Sequence, residues 1–286
     1  MFPRLTFPGE DAADQAAALE ALAVRDLHVH TPYCRHASGV MEDYVRAALD
    51  RGLTEIGFLE HVEAGIIHPR RFWLLAEELD EYWAEGNRLR ERFAGRITVS
   101  LGIELGINPE RTPELKALSA RHPWARIGLS CHCLPDGDGH LSLTGRDSLA
   151  RLAELDPFAT ALSYYRALRE NIAVFRPDML CHLDVIRRYL GAEDHRPEVR
   201  SLILGVLAEM RRCGAALEIN TSGLNHGLDT PYPAPWIVAE AVAAGVGLVI
   251  CSDSHAPEEV GRRRRAAVAY VAAALGAAAD KDCEGE

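Results

Sequence analysis

Hydrophobic residues along this chain follow two alternating rhythms. Short apolar runs of strand length recur: "RDLHVH", "LTEIGFLEH", "ITVSLGIEL", "ARIGLSCHC", "DMLCHLD", "AALEINTS" and "VGLVICSDSH". They are rich in Val, Ile and Leu and nearly continuous, as strands buried on both faces must be. Between them lie longer stretches with apolar residues at helical spacing. "GVMEDYVRAALDRG" and "RFWLLAEELDEYWAEGNRLRERFAG" each close on a glycine, the usual helix stop. "RDSLARLAELDPFATALSYYRALRENIAVFRP" predicts either one helix broken near Pro157 or two. "RPEVRSLILGVLAEMRRCG", "PAPWIVAEAVAAG" and "APEEVGRRRRAAVAYVAAALG" complete the helical set. The earlier segment "DAADQAAALEALA" is also helix-prone.

Strands alternating with helices predict parallel pairing through right-handed crossovers. A closed β/α barrel and an open doubly wound sheet both satisfy that pattern. The polar residues favour the barrel. Every apolar run except "AALEINTS" ends in residues able to bind metal, and that run ends in Asn220, Thr221 and Ser222. A barrel gathers all its strand C-termini around one mouth, whereas an open sheet spreads them along an edge. No G-x-G-x-x-G follows the first strand and no P-loop occurs, so nucleotide-cradling chemistry has no support.

Composition narrows the field. The 286 residues are 48% hydrophobic, enough for a large core. A formal net charge of −11 disfavours duplex nucleic acid and anionic membranes as partners. No apolar run reaches transmembrane length and no secretory signal is recognisable, so the expected location is cytoplasmic. Seven cysteines form no disulfide framework; Cys131, Cys133, Cys181 and Cys251 lie in apolar runs and read as buried free thiols. Cys131 and Cys133 make only a C-x-C pair, which alternation places on the face opposite His132.

The strand-end residues form a constellation. His28 and His30 end the first run, with His36 in the loop beyond. His61, Glu104, His132 and His182 follow the next four, and Asp253 and His255 end the last. In H-x-H both rings point to one side of a strand and can chelate one ion; D-x-H does the same for a carboxylate and an imidazole. A single strand-end histidine is more often a hydrogen-bonded core or loop residue. Seven imidazoles and two carboxylates gathered at one barrel mouth would be costly without a compensating partner. Mixed imidazole and carboxylate ligands suit Zn, Mn or Fe. Among the remaining histidines, His226 near "TSGLN" is a further candidate for the mouth.

The segments "DLHVHTPYCRHA", "GFLEH", "GIELGI", "SCHCLP", "CHLDVIRRY" and "CSDSH" resemble, in order, the motifs of the polymerase and histidinol phosphatase (PHP) superfamily. "SYYRALRENI", "EINTSGL" and "SDSHAPEEVG" look most like its monofunctional histidinol-phosphate phosphatases. The resemblance implies an α/β fold, a distorted (β/α)7 TIM-like barrel with its active site at the strand C-terminal ends, and three divalent metal ions. It implies that one ion takes His28, His30, Glu104 and Asp253, a second shares Glu104 and adds His132 and His182, and a third takes His36, His61 and His255. "SCHCLPDGDGH" departs from the family pattern through the cysteines flanking His132 and the Gly/Asp-rich turn, and "NTSGLNHGLDTPYPAP" carries a polar insertion. The implied layout is an N-terminal arm over residues 1–24, one barrel domain over 25–278 and a polar tail over 279–286.

The expected activity is a metal-dependent phosphatase for a small phosphate monoester, L-histidinol phosphate in the first place. Nucleotide or sugar phosphates are the alternative substrates. An amidohydrolase-like hydrolase and a non-catalytic metal-binding module are rivals from other classes, but an amidohydrolase usually needs a lysine at the metals and Lys116 and Lys281 lie at no strand end. Three ions bring roughly +6 against −2 from Glu104 and Asp253, leaving roughly +4 to attract an anion. A bridging hydroxide held near Glu104 and Asp253 is the expected nucleophile. Arg187 or Arg188, just past His182, is expected at the phosphate, with Asn220 and Ser222 hydrogen-bonding the substrate. The tetrad Arg262–Arg265 is expected on the exposed face and last turns of a surface helix, away from the site.

Overall fold

The structure, a computed structural model, describes residues 12–145, 148–190 and 193–283. Residues 1–11 of the expected arm, the start of the segment at Arg146 and the last three residues of the expected tail lie outside them. Seven parallel strands form one sheet: β1 (Arg25–Val29), β2 (Glu55–Val62), β3 (Thr98–Gly106), β4 (Arg126–Ser130), β7 (Met179–Leu180), β8 (Ala216–Asn220) and β9 (Leu248–Cys251), paired in that order. The last strand returns to the first. Val29 bridges Ser254 in parallel, Asp253 N–H donates to the His28 carbonyl at 2.9 Å, and His30 N–H donates to the Ser254 carbonyl at 2.9 Å. The sheet is thereby a nearly closed barrel, with helices outside.

The interior is filled from strands alone. Leu27, Leu59, Met179, Ala216, Val249 and Cys251 pack together, while the larger apolar cluster lies between strands and helices. Gly102 and Gly128 make room for Leu59: a Cβ there would stand 2.8 and 2.9 Å from its methyl carbons. Register slips by one residue in β1, where Asp26 pairs with Ile56 but Val29 with Phe58. This bulge lets His28 follow Leu27 toward the interior, a re-aiming typical of bulges beside sites.

Three helix readings are refined. The long segment before β3 begins as a 3-10 turn at Ala76–Glu78 and only then becomes α3 (Leu79–Arg92), after α1 (Ala12–Leu22) and α2 (Met41–Asp50). After α4 (Thr112–Ser119), the chain breaks before Pro157 into α5 (Leu149–Leu152) and α6 (Pro157–Phe175), with Asp156 capping α6 through the Ala159 N–H. Then follow α7 (Arg187–Leu190), α8 (Pro197–Cys213), α9 (Pro235–Ala243) and α10 (Arg264–Cys283). The last of these passes residue 278, where the barrel was expected to end. Leu19 and Leu22 of α1 are buried in the core, so this part of the arm is packed. No helix among the described residues is long and apolar enough to cross a membrane.

"ARIGLSCHC" is not one strand. β4 stops at Ser130, Cys131 and His132 leave the sheet, and Cys133 starts a separate antiparallel hairpin of β5 (Cys133–Asp136) and β6 (Gly139–Ser142). The "DGDG" turn closes that hairpin, and the Leu143 N–H donates to the His132 carbonyl at 2.7 Å. Cys131, Cys133, Cys181 and Cys251 are free and buried, as expected of apolar-run thiols.

Asp26 fastens the barrel seam. Its buried carboxylate accepts from Ser252 N–H, the Ser252 hydroxyl and Gly261 N–H. Burial pushes this carboxyl up, against the donors that favour its ionised form. Replacing Asp26 by Ala strands all three donors in the interior. Asp26→Ala should cost roughly 3 kcal/mol or more of stability in urea unfolding with an unchanged slope; a loss below about 1 kcal/mol would remove this role.

Candidate metal centre

All nine strand-end candidates converge at the C-terminal mouth. His28 and His30 leave β1 with their Nε2 atoms 2.9 Å apart. Behind them, His28 Nδ1 lies 2.7 Å from Glu218 Oε1 and His30 Nδ1 lies 3.3 Å from Glu60 Oε1. A carboxylate only accepts, so each Nδ1 carries the proton and each Nε2 presents a lone pair. Two lone pairs at that separation repel unless a cation lies between them.

Glu104 sits at the centre of the ring. Its Oε1 is 3.3 Å from His132 Nε2 and 3.0 Å from His182 Nε2; its Oε2 is 2.8 Å from His61 Nδ1, 3.5 Å from His28 Nε2 and 3.7 Å from His30 Nε2. Despite those distances, neither Glu104 oxygen has a hydrogen bond, and neither do His61 Nδ1, His132 Nε2 or His255 Nε2, all buried. Buried polar atoms are otherwise almost always paired. Lone pairs aimed at shared points rather than at one another are the signature of ligands around cations. The donor set of imidazoles and carboxylates fits divalent metal.

Asp253 closes the ring from the β9 side, with Oδ1 3.1 Å from His30 Nε2 and 3.8 Å from His28 Nε2. Asp253 and His182 both adopt left-handed backbone, at φ 52° and 26°. Such conformations are strained for residues with a Cβ and persist only where surroundings impose them. His36 and His255 lie with ring centroids 4.4 Å apart and planes tilted by 34°, and His36 is exposed at the rim. His61 is the hinge of the cluster. Its ligand atoms group with His30 and His255 on one side and with Glu104 and His132 on the other.

Electrostatics follow from burial. Desolvation pushes the Glu104 and Asp253 carboxyls up, but the surrounding imidazoles outweigh it and hold both well below the usual range. Desolvation, with neighbouring rings, pushes His30 and His61 down. Burial also works against charge on His132, but Glu104 and Glu63 push it up to about 10.

The expected substrate residues divide. Asn220 and Ser222 are bonded to carboxylates of the site itself. Both are buried; Asn220 donates to Glu218 Oε2 (3.0 Å) and Asp253 Oδ2 (3.2 Å), and Ser222 donates to Asp253 Oδ2 (3.1 Å). Their polar groups are taken up in orienting the Asp253 carboxylate. Arg187 is also structural. Its Nε lies 3.1 Å from buried Asp184, its Nη atoms donate to Thr230 Oγ1 and the Pro231 carbonyl, and it covers the Tyr232 ring. Arg188 is different: Nη1 is buried without a hydrogen bond. His226 lies exposed on the loop after β8, where partial desolvation, with Arg188, holds its imidazole down at about 4.

The arginine tetrad is not at the end of a helix. Arg262 and Arg263 precede α10, and Arg262 is half-buried, paired with Glu259, with its Nε buried and unpartnered. Three buried carboxylates that hold site imidazoles by Nδ1 escaped the sequence reading: Glu60, Glu63 and Glu218. For Glu60 and Glu218 the signal was present, since a Glu inside an apolar strand run, as in "GFLEH" and "LEIN", needs a partner.

Comparison with known proteins places this geometry. The PHP domain model matches residues 26–222. A probable histidinol-phosphatase of Deinococcus radiodurans is 32% identical over 238 residues, covering 83% of this chain and 88% of that protein. The histidinol-phosphatase of Bacillus subtilis is 26% identical, covering 83% and 95%. Among solved structures, the histidinol phosphate phosphatase of Lactococcus lactis, complexed with zinc, L-histidinol and phosphate, superposes with a TM-score of 0.72 at 21% identity, covering 90% of this chain and 94% of that one. The chain belongs to the PHP domain family.

Proposed function

We propose that this protein is a metal-dependent phosphatase that hydrolyses a small phosphate monoester, L-histidinol phosphate, to L-histidinol and phosphate. The observation that carries the reading is the set of buried, unpaired nitrogen and oxygen atoms converging around Glu104. The relatives named as histidinol-phosphatases support the substrate. The ligands are His28, His30, His36, His61, Glu104, His132, His182, Asp253 and His255, for three divalent ions in a cytoplasmic enzyme. Zinc is the first choice, because a structural neighbour is complexed with it. Bound there, such ions would supply Lewis acidity and an ionised water as nucleophile.

The chain's own residues do the rest. Glu104 and Asp253 hold the negative charge that would offset that of the ions. Asn220 and Ser222 fix the Asp253 carboxylate, so its orientation does not depend on substrate. Phe72 stands edge-on to His61 and His132, with centroids 6.2 and 6.5 Å away, and forms an apolar wall that limits water. Arg188 and Arg262 offer buried unpartnered N–H groups, the donors a phosphate dianion accepts.

Glu60, Glu63 and Glu218 also lower the charge at the mouth. When ionised they bring roughly −3, so the metal excess falls from roughly +4 to roughly +1. A net −11 chain then needs its rim arginines to draw in a phosphate.

Two measurements test this. Purified protein should contain two or more equivalents of metal and release phosphate fastest from L-histidinol phosphate; faster release from nucleotides or sugar phosphates would reassign the substrate, and none after metal reconstitution would end the reading. Asp253→Asn should lose metal and activity together, by more than about 100-fold, the upper end of what an outer-shell partner costs. The adjacent arginines should separate cleanly. Arg188→Ala should raise KM about 10- to 100-fold with thermal stability unchanged, as expected for one charge-assisted hydrogen bond. Arg187→Ala should instead lower stability by roughly 3 kcal/mol, by leaving buried Asp184 without its cation.

A further inference from the structure

Glu60 and Glu218 lie within strands, but Glu63 does not: it is the first residue past β2. Parallel register carries His61 opposite Glu104 and Val62 opposite Leu105, so Glu63 comes next, level with Gly106. Gly106 in turn pairs with Ser130, two residues before His132. The Glu63 side chain therefore lies across the β3 strand toward His132. Its Oε1 reaches His132 Nδ1 at 2.7 Å, with the carboxylate only 1% exposed.

The path exists because residue 106 has no side chain. A Cβ on Gly106 would lie 1.8 and 2.0 Å from the two Glu63 carboxylate oxygens and 2.1 Å from its carboxyl carbon. No atom of another residue is among the three nearest. Gly106 φ is not positive, so the backbone does not demand glycine there; the Glu63 carboxylate does.

We propose that Glu63 is the positioning residue of His132, that Gly106 is glycine to admit it, and that the pair sets which ring nitrogen of His132 faces Glu104. This rests on the metal-centre reading above. The chemistry is specific. Among the described residues, the other hydrogen-bond partner of His132 Nδ1 is the Ser130 hydroxyl at 3.4 Å. A hydroxyl can donate, which lets Nδ1 be the acceptor and puts the proton on Nε2. Such a ring has no lone pair for an ion beside Glu104. An ionised carboxylate cannot donate, so Glu63 keeps a proton on Nδ1 and makes Nε2 the nitrogen that an ion can take.

The test uses full-length protein and zinc as probe. Zinc affinity is measured by chelator competition, and the His132 Nδ1–H proton is followed by NMR of zinc-loaded, 15N-histidine-labelled protein. Glu63→Ala should weaken zinc binding at the tested site about 10- to 100-fold and lose or broaden that proton. Gly106→Ala should do the same by displacing Glu63. The double variant should be no worse than Glu63→Ala alone, because the clash and the hydrogen bond are one interaction. Glu63→Gln keeps the shape and a carbonyl acceptor; it should retain the proton signal and bind zinc within about tenfold of the parent, which keeps the test open if Gly106→Ala misfolds. Parent-like zinc affinity in Glu63→Ala, or losses that multiply in the double variant, would overturn the pairing. No ester is used, so a parent protein inactive on every phosphate ester would refute the proposed function while leaving this result intact.

Discussion

Glu104 is the constraint around which this structure is organised. Its carboxylate is fully buried, with no hydrogen bond to either oxygen. An isolated ion in that position costs far more than a domain's net stability can absorb. Five imidazoles within 3.7 Å face it instead, drawn from four other strands and their ends. The barrel is the device that makes such convergence possible, because parallel strands deliver all their C-termini to one place. The glycines beside Leu59, the β1 bulge and the short β7 are the distortions by which a packed barrel still leaves room for polar groups at its mouth.

Around that centre lies an outer ring. Glu60, Glu63 and Glu218 each hold an imidazole by its Nδ1, and Asn220 and Ser222 hold Asp253. Every one of these partners is itself buried. The ligands are thus oriented before any ion arrives, and the geometry does not have to be assembled at the cost of side-chain entropy on binding. Were three divalent ions bound, as proposed, the same ring would nearly neutralise their positive excess and shift the task of attracting phosphate outward to Arg188 and Arg262.

The converging cluster was readable from sequence because, His36 apart, it obeys a simple rule: polar residues at the ends of apolar runs, in H-x-H and D-x-H spacing. The barrel was readable for the same reason. What lay beyond reach depends on rotation about single elements. Arg187 and Arg188 are neighbours, and only the set of α7, four residues long, sends one to Asp184 and leaves the other open. Asn220 and Ser222 sit at a strand end like the ligands, but the left-handed turn at Asp253 brings a carboxylate onto them first. The split of "ARIGLSCHC" has no periodic signal, since Cys131, His132 and Cys133 are all buried on either reading. Glu63 was hidden because its partner is recognised only through register: nothing in the order of residues places 63 beside 106.

The seam between first and last strands has a meaning for the wholeness of the barrel. Its hydrogen bonds join residues more than 220 positions apart, such as Asp26 and Ser252 at a separation of 226, so closing it carries the fold's largest loop entropy. His28 and His30 stand on one lip, Asp253 and His255 on the other. An ion ligated from both lips would be a clasp on the ring, adding its bonds to those by which Asp26 already holds the seam.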